Sequence, residues 1–171
     1  MEERFAVGLI VNNKFGVLNR IAGLYAKRCY NIDATSVGTR VNPEYSRMTI
    51  VSTGDEYMKE QVVRQLEKLI DVKAVMLLEA ADAEFAQHMF IKMHLTGTQR
   101  GSSKHQVLDL INQYGGKVVD FGEGQLTAEI TGTLEKVESF IEKVRGFGIL
   151  ELSRSGDIAI GLGIENTLRA E

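Results

Sequence analysis

Apolar residues in the first segment of the chain fall at every second position, and after a short loop they change to helical spacing. The alternating set predicts a strand and consists of Phe5, Val7, Leu9 and Val11. After a polar loop at 12–16, the spacing of a helix follows, with apolar residues at Leu18, Ile21, Leu24 and Tyr25. The chain therefore opens with a strand, a loop and a helix.

The same kind of pattern continues to residue 78. Residues 32–40 are rich in β-branched side chains, and Asn42-Pro43-Glu44 predicts a turn before a third strand at 46–53. A second helix begins near Gly54-Asp55, and residues 72–78 supply a fourth strand. The order β-α-β-β-α-β is that of the ferredoxin-like sandwich, in which two helices cover one face of an antiparallel sheet.

A second copy of this order follows an acidic segment at 79–84, which we interpret as a linker. Its elements are a strand at 85–95, a helix capped by Ser102 or Ser103, a hairpin at 117–131, a helix capped by Thr133 and a last strand at 149–152. We predict an α+β protein with two ferredoxin-like sandwiches in tandem, at residues 4–78 and 84–160. Domains of about 80 residues have small cores, so dimerisation would add useful burial.

Composition and charge narrow the classes of function. A net charge of −3 with scattered Lys and Arg gives no footprint for nucleic acid or for an anionic membrane surface. The single Cys29 excludes an intramolecular disulfide and a multi-cysteine zinc site. The charged start and the short apolar stretch after it do not fit a signal peptide, and no segment approaches the roughly 18 apolar residues of a membrane span. We expect a cytoplasmic protein.

The first β-to-α loop is a candidate ligand site. Free backbone N–H groups at a helix start, together with the positive end of the helix dipole, can hold a carboxylate. Gly16 would let a ligand approach where a Cβ would block it, and Asn13 offers a donor and an acceptor beside it. From spacing alone, a glycine required only by the turn and an Asn31 that merely starts a strand explain these positions as well.

Three linked motifs stand in the first half of the chain, and similar stretches follow later. The motifs are Asn13-x-x-Gly16-x-Leu18-x-Arg20-x-x-Gly23-Leu24, Arg28-Cys29-Tyr30-Asn31-Ile32 and Ser46-Arg47-Met48-Thr49-Ile50. The later stretches are Asp71-Val72, Phe90-Ile91-Lys92 and Arg154-Ser155-Gly156. Together they resemble the small-subunit family of acetolactate synthase (acetohydroxyacid synthase). The likeness spans almost the full length and is densest over residues 4–78, which resemble an ACT domain.

The resemblance implies a regulatory subunit that is not itself an enzyme. In this family the small subunit acts in branched-chain amino acid biosynthesis, where it binds valine or another branched-chain amino acid. It transmits feedback inhibition to a separate catalytic (large) subunit and also raises that subunit's activity. The catalytic subunit, which this chain does not resemble, holds thiamine diphosphate, magnesium and FAD. No cofactor and no metal is therefore expected in this chain.

The resemblance also implies where the effector binds and that the chain forms a homodimer. One subunit would contribute backbone amides and an asparagine, and its partner would contribute the rest of the pocket. The expected residues are Asn13, Gly16, Val17 and Leu18 of one subunit with Asn31 and Ile32 of the other. Two positions depart from the family pattern, because Cys29 stands where glycine is usual and Lys14-Phe15 is bulkier than the usual short polar residues. Both departures concern ligand preference and affinity more than the fold.

Other classes of function are less consistent with the residues. An RNA-binding domain of the same topology needs aromatic residues on its central strands, and residues 47–52 contain none. His88, His94 and His105 lack cysteine partners and metal-ligand spacing. Gly161-x-Gly163 is not a dinucleotide loop, and Cys29 has no recognisable catalytic partner. The main rival is a stand-alone ACT-type amino-acid sensor that regulates another enzyme.

Overall fold

The computed structural model describes residues 2–95 and 102–169, and of Ser102 and Ser103 it describes only the backbone. The expected cap by one of these two serines lies outside the described side chains. The chain divides into two compact units, of which the first comprises Met1–Phe85 with Asp157–Glu171 and the second comprises Ala86–Gly156. Both contain the predicted order of helices and strands, which confirms the fold class of two ferredoxin-like sandwiches.

Six elements make up the main part of the first unit. They are β1 (Glu3–Asn12), α1 (Val17–Ala26), β2 (Ala34–Thr39), β3 (Tyr45–Gly54), α2 (Glu56–Leu66) and β4 (Val72–Leu78). The sheet has the order β2-β3-β1-β4, with antiparallel pairing throughout. Alternate residues of β1 pack under the two helices, as the spacing of Phe5, Val7, Leu9 and Val11 predicts. The Asp55 side chain caps α2 by accepting a hydrogen bond from the Met58 amide.

The remaining elements complete the second sandwich. They are β5 (Ala83–His94), α3 (Ser102–Gln113), β6 (Lys117–Gly122), β7 (Gln125–Gly132), α4 (Leu134–Val144), a 3₁₀ turn (Arg145–Phe147) and β8 (Ile149–Gly161). The sheet order is β6-β7-β5-β8. Thr133 caps α4 as predicted, because its side chain accepts a hydrogen bond from the Lys136 amide. The core on the helix side of this sheet is contiguous and includes Met89, Ile91 and Phe140.

The last strand is longer than the predicted 149–152, and its end belongs to the first unit. Residues 157–161 lie on the face of the first sheet that the helices leave open, where Ala159 joins a buried cluster with Ala6 and Val51. Side chains of the first sheet hold this segment: Arg4 pairs with the Asp157 carboxylate, Ser36 donates to the Asp157 carbonyl at 2.9 Å, and Arg47 donates to the Ala159 carbonyl at 2.9 Å. The central strand β1 is therefore buried on both faces.

The expected linker at 79–84 is shortened for the same reason. Strand β5 begins at Ala83, which is buried in the cluster on the second face. The Asp82 carbonyl accepts a hydrogen bond from the Leu162 amide at 2.7 Å. The domain boundaries 4–78 and 84–160 stay a prediction, and the compact units differ from them because 157–161 pack on the first sheet.

Replacing Ala159 by glutamate should destabilise the first unit by about 2 kcal/mol or more, because a carboxylate would enter an apolar cluster without a partner. Ile160→Glu is the matched control, because the neighbouring residue Ile160 is 62% exposed whereas Ala159 is 2% exposed. Native-state hydrogen exchange at the β1 amides measures both variants. Equal protection of these amides in the two variants would show that the segment does not stabilise the sheet.

Cys29 has a left-handed backbone conformation with φ 56°, and it is exposed. This conformation costs a residue with a Cβ about 1–2 kcal/mol in the folded state. Glycine avoids that cost, but it also raises the entropy of the unfolded chain, which offsets part of the gain in stability. Cys29→Gly should therefore stabilise the protein by roughly 0.5–1 kcal/mol, measured by urea unfolding. Cys29→Ala keeps the strain and should leave the unfolding midpoint unchanged; a gain as large as that of the glycine variant would contradict this explanation.

Candidate functional site

The loop between β1 and α1 is fixed by hydrogen bonds to two neighbouring loops. On one side, the Asn12 amide donates to the Asp71 carbonyl at 2.8 Å, and the Asn12 side chain donates to the Asp71 carboxylate at 3.1 Å. On the other side, the Asn13 amide donates to the Glu44 carbonyl at 2.7 Å, and its side-chain amide donates to the Pro43 carbonyl at 3.0 Å. The loop thus holds a defined position although residues 13–15 are exposed.

Helix α1 begins without a side-chain cap. Gly16 occupies the N-cap position with φ 81°, a left-handed conformation that glycine adopts without strain. The starts of α2 and α4 are capped by Asp55 and Thr133, whereas no side chain accepts a hydrogen bond at the start of α1. The Val17 amide donates to the Lys14 carbonyl at 3.4 Å, but the amides of Leu18 and Asn19 have no partner among the described residues. At the positive end of the helix dipole, these two amides are available to an anionic group.

The predicted residues on this loop differ in what they can offer a ligand. Val17 is 4% exposed and packs in the core, so only its backbone is available. Leu18 is 52% exposed and offers an apolar side chain beside the helix start. Phe15 is fully exposed at the mouth of the loop. Asn13 keeps its side-chain oxygen without a partner among the described residues, because its hydrogen bond uses the nitrogen.

Asn31 and Ile32 lie at the other end of the sheet from Gly16. Ala34, at the start of β2, is level with Val51 and through it with Ala6, whereas the loop leaves β1 at Asn12. Six residues of strand separate these two levels, which corresponds to about 20 Å. One chain therefore does not bring the two predicted halves of the site together. Asn31 donates to the Asp33 carboxylate at 2.5 Å, and Ile32 packs on the edge of the core.

Strand β2 forms an edge of the first sheet. It pairs with β3 on one side, and no strand of the described chain pairs with its other side. Its alternate backbone N–H and C=O groups face outward, as they do on any edge strand. The sequence Ala-Thr-Ser-Val-Gly-Thr carries no charge that would oppose pairing with another strand. This edge can accept a strand from a second molecule.

Asp71 connects the loop to helix α1 by electrostatics. Its carboxylate accepts hydrogen bonds from the Asn12 side chain and, at 2.5 Å, from Arg20 on α1. The Asn12 bond first, and then Arg20, hold the pKa of Asp71 below its ordinary value. The family motifs include both Asp71 and Arg20, but the sequence does not predict their contact, because no local spacing links residues 51 positions apart.

Other kinds of site find little support in residues 2–95 and 102–169. No three His, Cys, Asp or Glu side chains in these ranges lie together as a metal site requires. The His88 ring contacts the Thr131 hydroxyl at 3.0 Å instead. Over the same ranges, no helix has the length and apolar character to cross a membrane.

The fold of the two units agrees with comparisons to known proteins. A family model described as "AHAS small subunit-like ACT domain" matches residues 7–74, and one described as "Small subunit of acetolactate synthase" matches residues 86–163. The acetolactate synthase small subunit of Thermotoga maritima has a similar crystal structure, with a TM-score of 0.85 and 28% identity. That comparison covers 94% of this chain and 98% of that one. Residues 7–74 of the first unit therefore form an ACT domain.

Curated relatives agree over nearly the whole length. A probable acetolactate synthase small subunit of Methanothermobacter thermautotrophicus is 38% identical over 157 residues, covering 92% of each chain. The acetolactate synthase small subunit of Haemophilus influenzae is 32% identical over 166 residues, covering 96% of this chain and 99% of that protein. The chain belongs to the acetolactate synthase small-subunit family, as the sequence motifs predict.

Asp71→Asn should reduce the dependence of stability on acid pH. Because the folded pKa of Asp71 lies below its ordinary value, the carboxylate stabilises the fold above about pH 4, and this contribution is lost as pH falls through the lowered folded pKa. Wild type should therefore lose more unfolding free energy between about pH 5 and pH 2 than the variant. Urea unfolding at a series of pH values measures this difference.

Glu67→Gln is the control for net charge, because it removes an exposed carboxylate from the same unit. If Asp71→Asn and wild type gave parallel curves of stability against pH, the carboxylate would not anchor the loop through its charge.

Proposed function

We propose that this chain is the regulatory subunit of an acetolactate synthase, and that its ACT domain binds valine or another branched-chain amino acid. Binding would inhibit a separate catalytic subunit, which the regulatory chain also activates when the effector is absent. The observation that carries the proposal is the uncapped start of α1 at Gly16, in a domain of this family. The chain itself would carry out no catalysis.

The residues of the loop suit the parts of a free amino acid. The first amides of α1 would hold its carboxylate in a region of positive dipole potential. The side-chain oxygen of Asn13 would accept a hydrogen bond from the ammonium group, and Asn31 of a second subunit would bind beside it. The exposed Leu18, with Ile32 from the second subunit, would pack on the branched side chain. Val17 would contribute only backbone.

A homodimer through the β2 edge would complete this pocket. If two β2 strands pair antiparallel about a two-fold axis, the Asn31 end of one subunit meets the Gly16 end of the other. The separation of about 20 Å within one subunit is then the reason that the site needs two copies. The uncharged, unpaired edge of β2 supports this arrangement.

A shared pocket offers a physical route from effector binding to regulation. An amino acid that binds one arrangement of the dimer more tightly than another shifts the population between them, and coupling of about 1–3 kcal/mol is typical. By reciprocity, the catalytic subunit must change the affinity for the effector to the same extent. Thiamine diphosphate, magnesium and FAD would reside in that catalytic subunit, in the cytoplasm.

Calorimetric titration of the full chain with valine, leucine, isoleucine and glycine tests the proposal, with light scattering to follow the oligomeric state. Saturable binding of valine by a dimer, with glycine inert, is the expected result. The same preparation is then added to an acetolactate synthase catalytic subunit, whose activity should rise and become sensitive to valine. Valine binding without any effect on that enzyme would instead indicate a sensor for another enzyme.

Gly16→Asp should abolish valine binding, because it places a second carboxylate where that of the ligand would lie. Gly115→Asp is the matched control: Gly115 also has a positive φ, 63°, and lies in open space at the end of α3. Both variants introduce backbone strain, and at Gly16 the new carboxylate offsets part of it by accepting hydrogen bonds from the start of α1. Gly16→Asp should therefore lower the melting temperature no more than Gly115→Asp. A Gly16→Asp protein inhibited at the same valine concentration as wild type would refute the assigned site.

A further inference from the structure

A cavity of about 460 Å³ lies beside β2 and β3, and the proposed amino-acid site does not use it. Ser36 pairs with Thr49, and the next pair on the same face is Gly38 with Arg47. This face is the one opposite the helices, because Val51 of the same strand joins the cluster there. Arg40, Val41 and Ile158 complete the rim.

Two arginines face this cavity without an acidic partner. No lining residue is a carboxylate, and neither Arg40 nor Arg47 forms a salt bridge with a described residue. The one described hydrogen bond of Arg47, to the Ala159 carbonyl at 2.9 Å, uses one of the five donors of its guanidinium. Burial, and then the charge of Arg40, lower the pKa of Arg47. The two positive charges are thus close together and partly removed from water.

The residues that line the cavity favour a dianion over other small ligands. Two guanidinium groups match a dianion, and planar guanidinium groups bind phosphate in a bidentate manner. The hydroxyl-bearing side chain of Thr49 lies on the same face, and Val41 and Ile158 add apolar surface. A free amino acid fits poorly, because its ammonium group would be repelled by two arginines and find no carboxylate. The volume exceeds what a phosphate group alone requires.

We propose that this cavity binds a phosphate dianion between Arg40 and Arg47, either free phosphate or the head of a small phosphomonoester whose organic part contacts Val41 and Ile158. The site is distinct from the loop at 12–18 and does not depend on the regulatory role proposed above. Arg47 also holds residues 157–161 in place, so an occupied site would brace the segment that covers the second face of the first sheet.

Calorimetry and thermal melting of the full chain test the proposal, with inorganic phosphate and phenyl phosphate as probes and with sodium chloride at matched ionic strength. At least one phosphate probe should bind saturably and raise the melting temperature. The two probes distinguish free phosphate from a phosphomonoester as the ligand. Similar affinities for both probes indicate that the site binds the phosphate group alone, and tighter binding of phenyl phosphate indicates that it binds an ester. Benzoate is a monoanion of similar shape and should bind more weakly than phenyl phosphate.

Arg40→Gln should weaken the binding of phosphate about tenfold or more, which is typical of losing a charge-assisted hydrogen bond. Arg40 is the residue to change because its side chain forms no described hydrogen bond, whereas Arg47 also supports the fold. Arg64→Gln, on the exposed face of α2, removes the same charge and should leave the affinity unchanged. No binding of either probe, equal losses in the two variants, or benzoate binding as tight as phenyl phosphate would overturn the proposal.

Discussion

Strand β1 lies at the centre of the first sheet with side chains packed on both of its faces, and the other parts of the unit are arranged around it. Its helix-facing residues form the core with α1 and α2, while Ala6 on the opposite face is covered by Ala159 and its neighbours. Because β1 is held by β3 and β4 along its length, its end at Asn12 has a defined position. The loop that begins at Asn12 is therefore fixed at this end.

The start of α1 lacks the side-chain cap that stabilises the starts of α2 and α4. A side-chain cap contributes about 1 kcal/mol, and α2 and α4 obtain one from Asp55 and Thr133. At α1, Gly16 supplies only the backbone conformation. The Asp71 carboxylate holds the loop and the helix in place by accepting hydrogen bonds from Asn12 and Arg20. A helix start that is firmly positioned and left uncapped is suited to a ligand that completes it. This local departure from good capping is expected where function competes with stability.

The two sites proposed for this unit offer a ligand different charges. The loop at Gly16 offers amides and an asparagine, which suit the carboxylate and ammonium of one amino acid. The cavity at Arg40 and Arg47 offers two cations and no carboxylate, which suits a dianion. Under the two proposals, one domain would distinguish two classes of small molecule, because the charges that favour one of them disfavour the other.

Local patterns along the chain were sufficient to predict the order of elements in both sandwiches, the helix start at Val17 and the cap at Thr133, because period and capping depend on neighbouring residues. The three linked motifs were sufficient for the family. They did not reveal the contact of Arg20 with Asp71, the second buried face of β1 or the extension of the last strand to Gly161. Each of these joins residues far apart in the chain, where spacing carries no information. Only the folded chain decides that Ala159 is buried while Ile160 is exposed, and only it shows that Gly16 and Asn31 lie at opposite ends of one sheet.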